Sequence, residues 1–216
     1  MGYGDQMNLY GYVNNDPGNA TDPSGEYGRG SGWKNKKDWE KFDKAQKKAA
    51  TDMRKTAGKL RDRSRSTRMP GERAKLKGMA DGLDKGAGFL ENDGSDGKTL
   101  AHLVSGDGMV SLGNSRDAAA SAPRNGTTMN VNRDSSTWKD NTVDGDFLRQ
   151  WMIGHESLHS AGFSDLQFGG ATAYRLSRRG SASRRAFDHF TYEPEGWKNP
   201  DHMMCEVYCD RLDPNW

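Results

Sequence analysis

The chain has 216 residues, room for about one to one and a half domains, with 32% hydrophobic and 29% charged residues and a mean hydropathy of −1.01. Such a polar chain buries one modest core and leaves much of itself as loop or solvated helix face, which its 27 glycines reinforce. A net charge of +2 gives no global field for nucleic acid or a membrane surface; no apolar run is long enough for a span, and Met1–Gln6 is not a signal peptide.

Residues 1–32 stack turn formers in Asn14-Asn15-Asp16-Pro17-Gly18 and Asp22-Pro23-Ser24-Gly25, and are expected to be irregular. The stretch Asn8-Leu9-Tyr10-Gly11-Tyr12-Val13-Asn14-Asn15-Asp16-Pro17, with Asp22-Pro23-Ser24-Gly25 after it, resembles the end of the core domain of Rhs-repeat proteins. In that family a β-rich cage ends in this signature and gives way to a variable toxin domain. The chain departs from the family at Glu26, where Leu is usual. The resemblance implies a piece of a longer protein, secreted or injected into a target cell, with the cage, a secretion machinery and a cognate immunity protein as partners. It also implies that residues 1–32 are the end of the core plus a linker, poorly packed against the rest of the chain.

Residues 33–90 form a basic region. Lysine and arginine crowd 34–77, including Arg61-Asp62-Arg63-Ser64-Arg65-Ser66-Thr67-Arg68, and are read as a solvated helix face rather than a nucleic-acid patch. Trp39, Phe42, Ala45, Ala49, Met53, Ala57 and Leu60 recur at steps of three and four, the stripe of one helix. Pro70-Gly71 breaks the pattern and Glu72 to about Leu83 resumes it, giving a helical hairpin. Gly86, Gly88, Gly94 and Gly97 are expected to open a loop.

Residues 91–216 form the third region. Met109–Leu112 and Thr127–Arg133 read as strands, the second as a half-buried edge strand because Met129, Val131 and Arg133 alternate with Thr128, Asn130 and Asn132. Asp144 or Asp146 is expected to cap a helix from about Phe147 to Ser160, with irregular chain after Gly162 until a short helix near Cys205–Leu212. Cys205 and Cys209, four apart, match no common zinc or redox spacing and are expected to be reduced, partly buried thiols.

Residues 154–165 read Gly-His-Glu-Ser-Leu-His-Ser-Ala-Gly-Phe-Ser-Asp. On a helix, His155 and His159 leave the same face one turn apart, so two neutral imidazoles can reach one ion. Glu156 lies beside His155, placed to bond a water at the metal without being a ligand. Gly162 permits a positive φ that ends the helix and turns the chain back, so Asp165 can approach the ion from the open side. Two histidines, one carboxylate and one exchangeable position make the catalytic rather than the closed zinc pattern. Glu206 is the alternative third ligand.

The pattern H-E-x-x-H-x-x-G-x-x-D resembles zincin peptidases of the metzincin-like and aspzincin-like kind. The resemblance implies a zincin-like α+β fold: a small twisted sheet over the active-site helix, preceded here by the basic hairpin. It also implies a methionine-containing turn beneath the metal, for which Asn199-Pro200-Asp201-His202-Met203-Met204 is the candidate and Met204 the floor residue. No Tyr stands two residues after Met204, so the oxyanion helper stays open among Tyr192, Tyr208, His189 and His202. The expected function is a zinc metallopeptidase toxin in which Zn2+ activates water and Glu156 is the general base. A zinc amidase of cell-wall peptides and a non-enzymatic module using the basic helix are the alternatives.

Overall fold

The computed structural model describes residues 27–92, 97–177 and 179–211, a mixture of α-helices and small β-sheets. The Rhs-like stretch, Gly94 and Leu212 therefore lie outside the described residues. Strand β1 (Gly28–Arg29) leads into helices α1 (Lys36–Ser66) and α2 (Pro70–Leu90). Strand β2 (Leu100–Val104), helix α3 (Gly106–Ser111), and strands β3 (Ala120–Ser121) and β4 (Thr128–Asn132) come next. A one-turn helix, α4 (Ser136–Lys139), precedes α5 (Val143–Ser160). A hairpin of β5 (Gln167–Phe168) and β6 (Ala171–Thr172), then α6 (Ala182–Thr191) and α7 (Pro200–Tyr208), complete the order.

The first helix forms for the reason its stripe implies. Trp39, Phe42, Ala45, Ala49, Met53, Ala57 and Leu60 are all buried, while the lysine face between them stays in solvent. Asn35 caps it by accepting from Asp38 N at 2.8 Å. The basic residues are partly tied down: Arg61 pairs with Asp81 and Asp84, Arg54 with Asp84 and Glu91, and Arg63 with Glu206. The second helix is longer than expected and runs through Gly86 and Gly88. A Cβ on Gly86 would stand 2.7 Å from Met53 Cε and 3.0 Å from Leu158 Cδ2, so the glycine lets α2 approach α1 and α5 closely. One contiguous core joins Met53, Leu60, Leu83, Ile153 and Leu158, so the hairpin and α5 are packed together.

The main sheet has the order β1-β2-β4-β3, with β1, β2 and β4 parallel and β3 antiparallel to β4. Three expectations change here. Strand β4 lies between β2 and β3, and the edge beside it is β3; its Asn132 fits the interior because its amide donates to Arg116 O and Ala118 O at 2.8 and 2.9 Å. Met109–Leu112 belongs mainly to α3, where Ser105 caps a turn that buries Met109. Residues 27–32 are not irregular: Gly28 and Arg29 pair with Leu100 and Ala101, and Tyr27 and Trp33 are buried on either side of that strand. Gly28 and Arg29 thus belong to the sheet, on the N-terminal side of the boundary expected at residue 32.

Helix α5 begins earlier than expected, at Val143, because Thr142 rather than an aspartate caps it, accepting from Gly145 N at 3.2 Å. Asp144 and Asp146 sit in its first turn, where the helix dipole favours them. The chain after Gly162 holds the β5–β6 hairpin and α6 as well as α7, which starts at Pro200 behind an Asn199 cap. Cys205 and Cys209 form a disulfide with Cα atoms 4.6 Å apart, rather than two thiols, across the point where α7 tightens into the 3-10 turn Cys209–Arg211. No helix among the described residues is long and apolar enough to cross a membrane.

Candidate metal centre

Helix α5 is buried from Trp151 to Leu158, while His155 and the half-buried His159 line a cleft on one of its faces. It ends in a Schellman arrangement: Gly162 N donates to His159 O and Phe163 N to Leu158 O, with Gly162 at φ +98°. This is the sharp turn expected of Gly162. The returning chain brings Asp165 against the two histidines, its oxygens 3.3 Å from His155 Nε2 and 3.5 Å from His159 Nε2.

The two Nε2 atoms are themselves 3.1 Å apart. Each ring is oriented by its other nitrogen. His155 Nδ1 bonds Asp201 Oδ1 at 2.8 Å, and His159 Nδ1 bonds Phe163 O at 3.0 Å. Both partners are acceptors, so each Nδ1 donates, and in the neutral imidazole each Nε2 keeps its lone pair for a metal. Two lone pairs and a carboxylate thus converge on one point. A tetrahedral ion with bonds of about 2.0–2.1 Å separates its ligands by about 3.3–3.4 Å, close to the three spacings here. His155, His159 and Asp165 form a group that can hold a metal ion. Glu206 is elsewhere, paired with Arg63 at 3.1 Å.

Charge obeys the same geometry. Burial alone would lower the imidazole pKa values, but Asp165 holds both His155 and His159 above the ordinary range, with Asp201 adding to His155. Burial works against the Asp165 carboxylate too, yet the two imidazoles hold it well below the usual range. Glu156 is buried, and desolvation lifts its carboxyl. It lines the same cleft of about 690 Å³ as the metal group and takes a backbone hydrogen bond from Ala122, just after β3.

The supporting residues expected from the sequence are mostly elsewhere. Tyr192 is 89% exposed at the end of α6, and Tyr208 is buried against Phe147 and Trp151. His202 stacks on Phe187 with centroids 3.9 Å apart and bonds Thr191, and His189 stacks on Phe168. None of these four lines the cleft. Met204 is buried beneath α5, its thioether filling the space where Gly154 has no side chain, but it belongs to a helix and not to a turn. Helix α7 reaches the site through Asp201 instead.

Two residues that the sequence motifs do not single out line the cleft. Tyr174 donates its hydroxyl to Asp165 Oδ2 at 2.9 Å, with its ring 6.0 Å from that of His155. Desolvation first, then Asp165, raises its pKa, so it stays a protonated donor. The second is Asp201. Tyr174 belongs to no local motif, and Asp201 lies in the expected methionine-turn stretch, where its own role carries no spacing signal. Comparisons with protein-family models, with curated proteins and with solved structures found no match.

Proposed function

We propose that this chain is a zinc-dependent metallopeptidase with His155, His159 and Asp165 as ligands and Glu156 as general base. The observation that carries the reading is the convergence of two imidazole nitrogens and the Asp165 carboxylate on one point, with the buried carboxyl of Glu156 in the same cleft. Two imidazole nitrogens and one carboxylate at these spacings suit zinc. Zinc, when bound, supplies an acidified water and a polarised carbonyl.

The chain's own residues do the rest. Glu156 takes the proton of the attacking water on its carboxylate and delivers it to the leaving amine. Its desolvation makes it a stronger base than an exposed glutamate. The Tyr174 hydroxyl stands at the rim of the centre, where it can turn from Asp165 to the developing oxyanion.

A peptide substrate fits the cleft because β3 forms one wall. Ala119 O accepts from Asn132 N, so by the alternation of the antiparallel ladder Ala120 and Ala122 turn their backbone groups away from β4, toward the site. An extended chain can add there by backbone pairing, at β3 rather than at Met129–Arg133. The sheet, the helix with its histidines, and the edge strand beside the glutamate support a zincin-like fold.

The Rhs-like residues 8–25 support a toxin that cuts a protein of the target cell and is restrained in its producer by an immunity protein. That inhibitor would plug the cleft or pair along β3. The test compares protein termini in cells expressing the wild type and Glu156→Gln. New termini and toxicity in the wild type alone support the reading. Cleaved muropeptides without new protein termini would make the enzyme a cell-wall amidase. Toxicity undiminished in Glu156→Gln would move the function to the basic helices.

A further inference from the structure

We infer that Asp201 is the positioning residue of this centre, setting two of the three ligands at once; the inference rests on the metal reading above. Asp201 lies in the first turn of α7 and is 2% exposed. Its carboxylate takes three hydrogen bonds. Oδ1 accepts from Trp151 Nε1 at 3.0 Å and from His155 Nδ1 at 2.8 Å, and Oδ2 accepts from Arg175 N at 2.5 Å. Trp151 and His155 are four residues apart on α5, so one face of that helix presents both donors to the same oxygen.

The first consequence is the orientation of His155. An indole N–H and a backbone N–H can only donate, and an ionised carboxylate can only accept. Against such a group Nδ1 must carry the imidazole proton, which leaves Nε2 as the free donor atom of a metal ligand. A buried carboxylate is costly unless its oxygens are bonded, and here each is.

The second consequence concerns Asp165. Arg175 N–H, held by Asp201, comes directly after Tyr174 in the chain. On the other side, Ala173 O accepts from Asn199 Nδ2 at 3.1 Å, and Asn199 is the cap of α7. The start of α7 thus holds the backbone on both sides of Tyr174, whose hydroxyl bonds Asp165 Oδ2. Asp201 orients His155 directly and Asp165 through Tyr174.

The isosteric Asp201→Asn variant separates this role from mere packing. Its amide must turn an NH₂ toward either Arg175 N–H or the Trp151–His155 pair, setting donor against donor. Zinc affinity of the full chain, measured by competition with a chromophoric chelator, is expected to fall about 10–100-fold in this variant. In the zinc-loaded wild type, nitrogen-15 NMR is expected to find the His155 proton on Nδ1. Unchanged affinity in a folded Asp201→Asn overturns the inference and leaves the metal reading standing. A wild type that binds no zinc sinks both. If Asp201→Asn does not fold, the wild-type ring decides: a proton on Nδ1 supports the role, and a proton on Nε2 overturns it.

Discussion

Tyr174 donates to the Asp165 carboxylate in the cleft where, on the proposed peptidase reading, charge would develop during hydrolysis. Loss of a single oxyanion donor typically costs about 10²–10³ in kcat. Tyr174→Phe is therefore expected to lose kcat by that factor with little change in KM, because the interaction forms only in the transition state. Steady-state kinetics on a peptide substrate checks this, and an unchanged kcat would leave Tyr174 only its bond to Asp165. The ligand pair and Glu156 are legible in the sequence because their geometry is local: four residues on a helix fix a face whatever surrounds it. Asp201 and Tyr174 are not, because each reaches the site from a segment whose position only the packed core decides.

Helix α5 depends on its last turn. Gly162 has φ +98°, and a Cβ there would stand 2.6 Å from Asn125 Oδ1. Gly162→Ala is expected to cost about 1–2 kcal/mol in backbone strain alone, and to weaken zinc binding because Asp165 hangs from that turn. Urea unfolding of the metal-free chain and zinc titration of the folded one measure the two effects separately. Helix α7 carries a pH signature. Burial lowers the His202 pKa from 6.5 to about 4, so the unfolded chain takes up a proton there before the folded one does. Its contribution to stability is therefore lost as pH falls from about 6.5 to about 4. Wild-type urea midpoints should fall more steeply over that window than those of His202→Gln. Equal slopes would show that His202 does not titrate as its burial implies.

The same physics separates the elements that sequence patterns reveal from those they hide. The stripe of α1 spans many turns, and every residue on it is buried. Helix α3 has only six residues, too few for a helical period to stand out from a strand's. Strand β4 imitates an edge because Asn130 and Asn132 break its apolar run, yet Asn132 is satisfied inside by backbone carbonyls. Gly86 reads as a loop signal until α5 is seen packed against it.

Across the whole molecule, the segment from Tyr27 to Trp33 joins the hydrophobic core rather than trailing from it. Tyr27 bonds Ser160 at 2.8 Å, directly after His159 in α5, and its backbone bonds Gln46 of α1. The turn-former composition of residues 1–32 conceals this, because two strand residues and two buried aromatics are a weak signal in a glycine-rich run. A chain beginning at Tyr27 is expected to keep its thermal transition and its zinc. One beginning at Lys34 loses Tyr27, β1 and Trp33, and burial of each aromatic contributes about 1.5–3 kcal/mol. Calorimetry of the two truncations should give a wild-type transition for the first and a much lower or absent one for the second. Equal transitions would return the boundary to residue 32.

The central claim is that His155, His159 and Asp165 hold one zinc ion. Its most direct test is the zinc content per chain of the purified wild type and of His155→Ala, His159→Ala, Asp165→Ala and Glu206→Ala. The account predicts one zinc in the wild type and in Glu206→Ala, close to none in either histidine variant, and a strongly reduced content in Asp165→Ala. A zinc-free wild type, or full occupancy in Asp165→Ala with loss in Glu206→Ala, would contradict it.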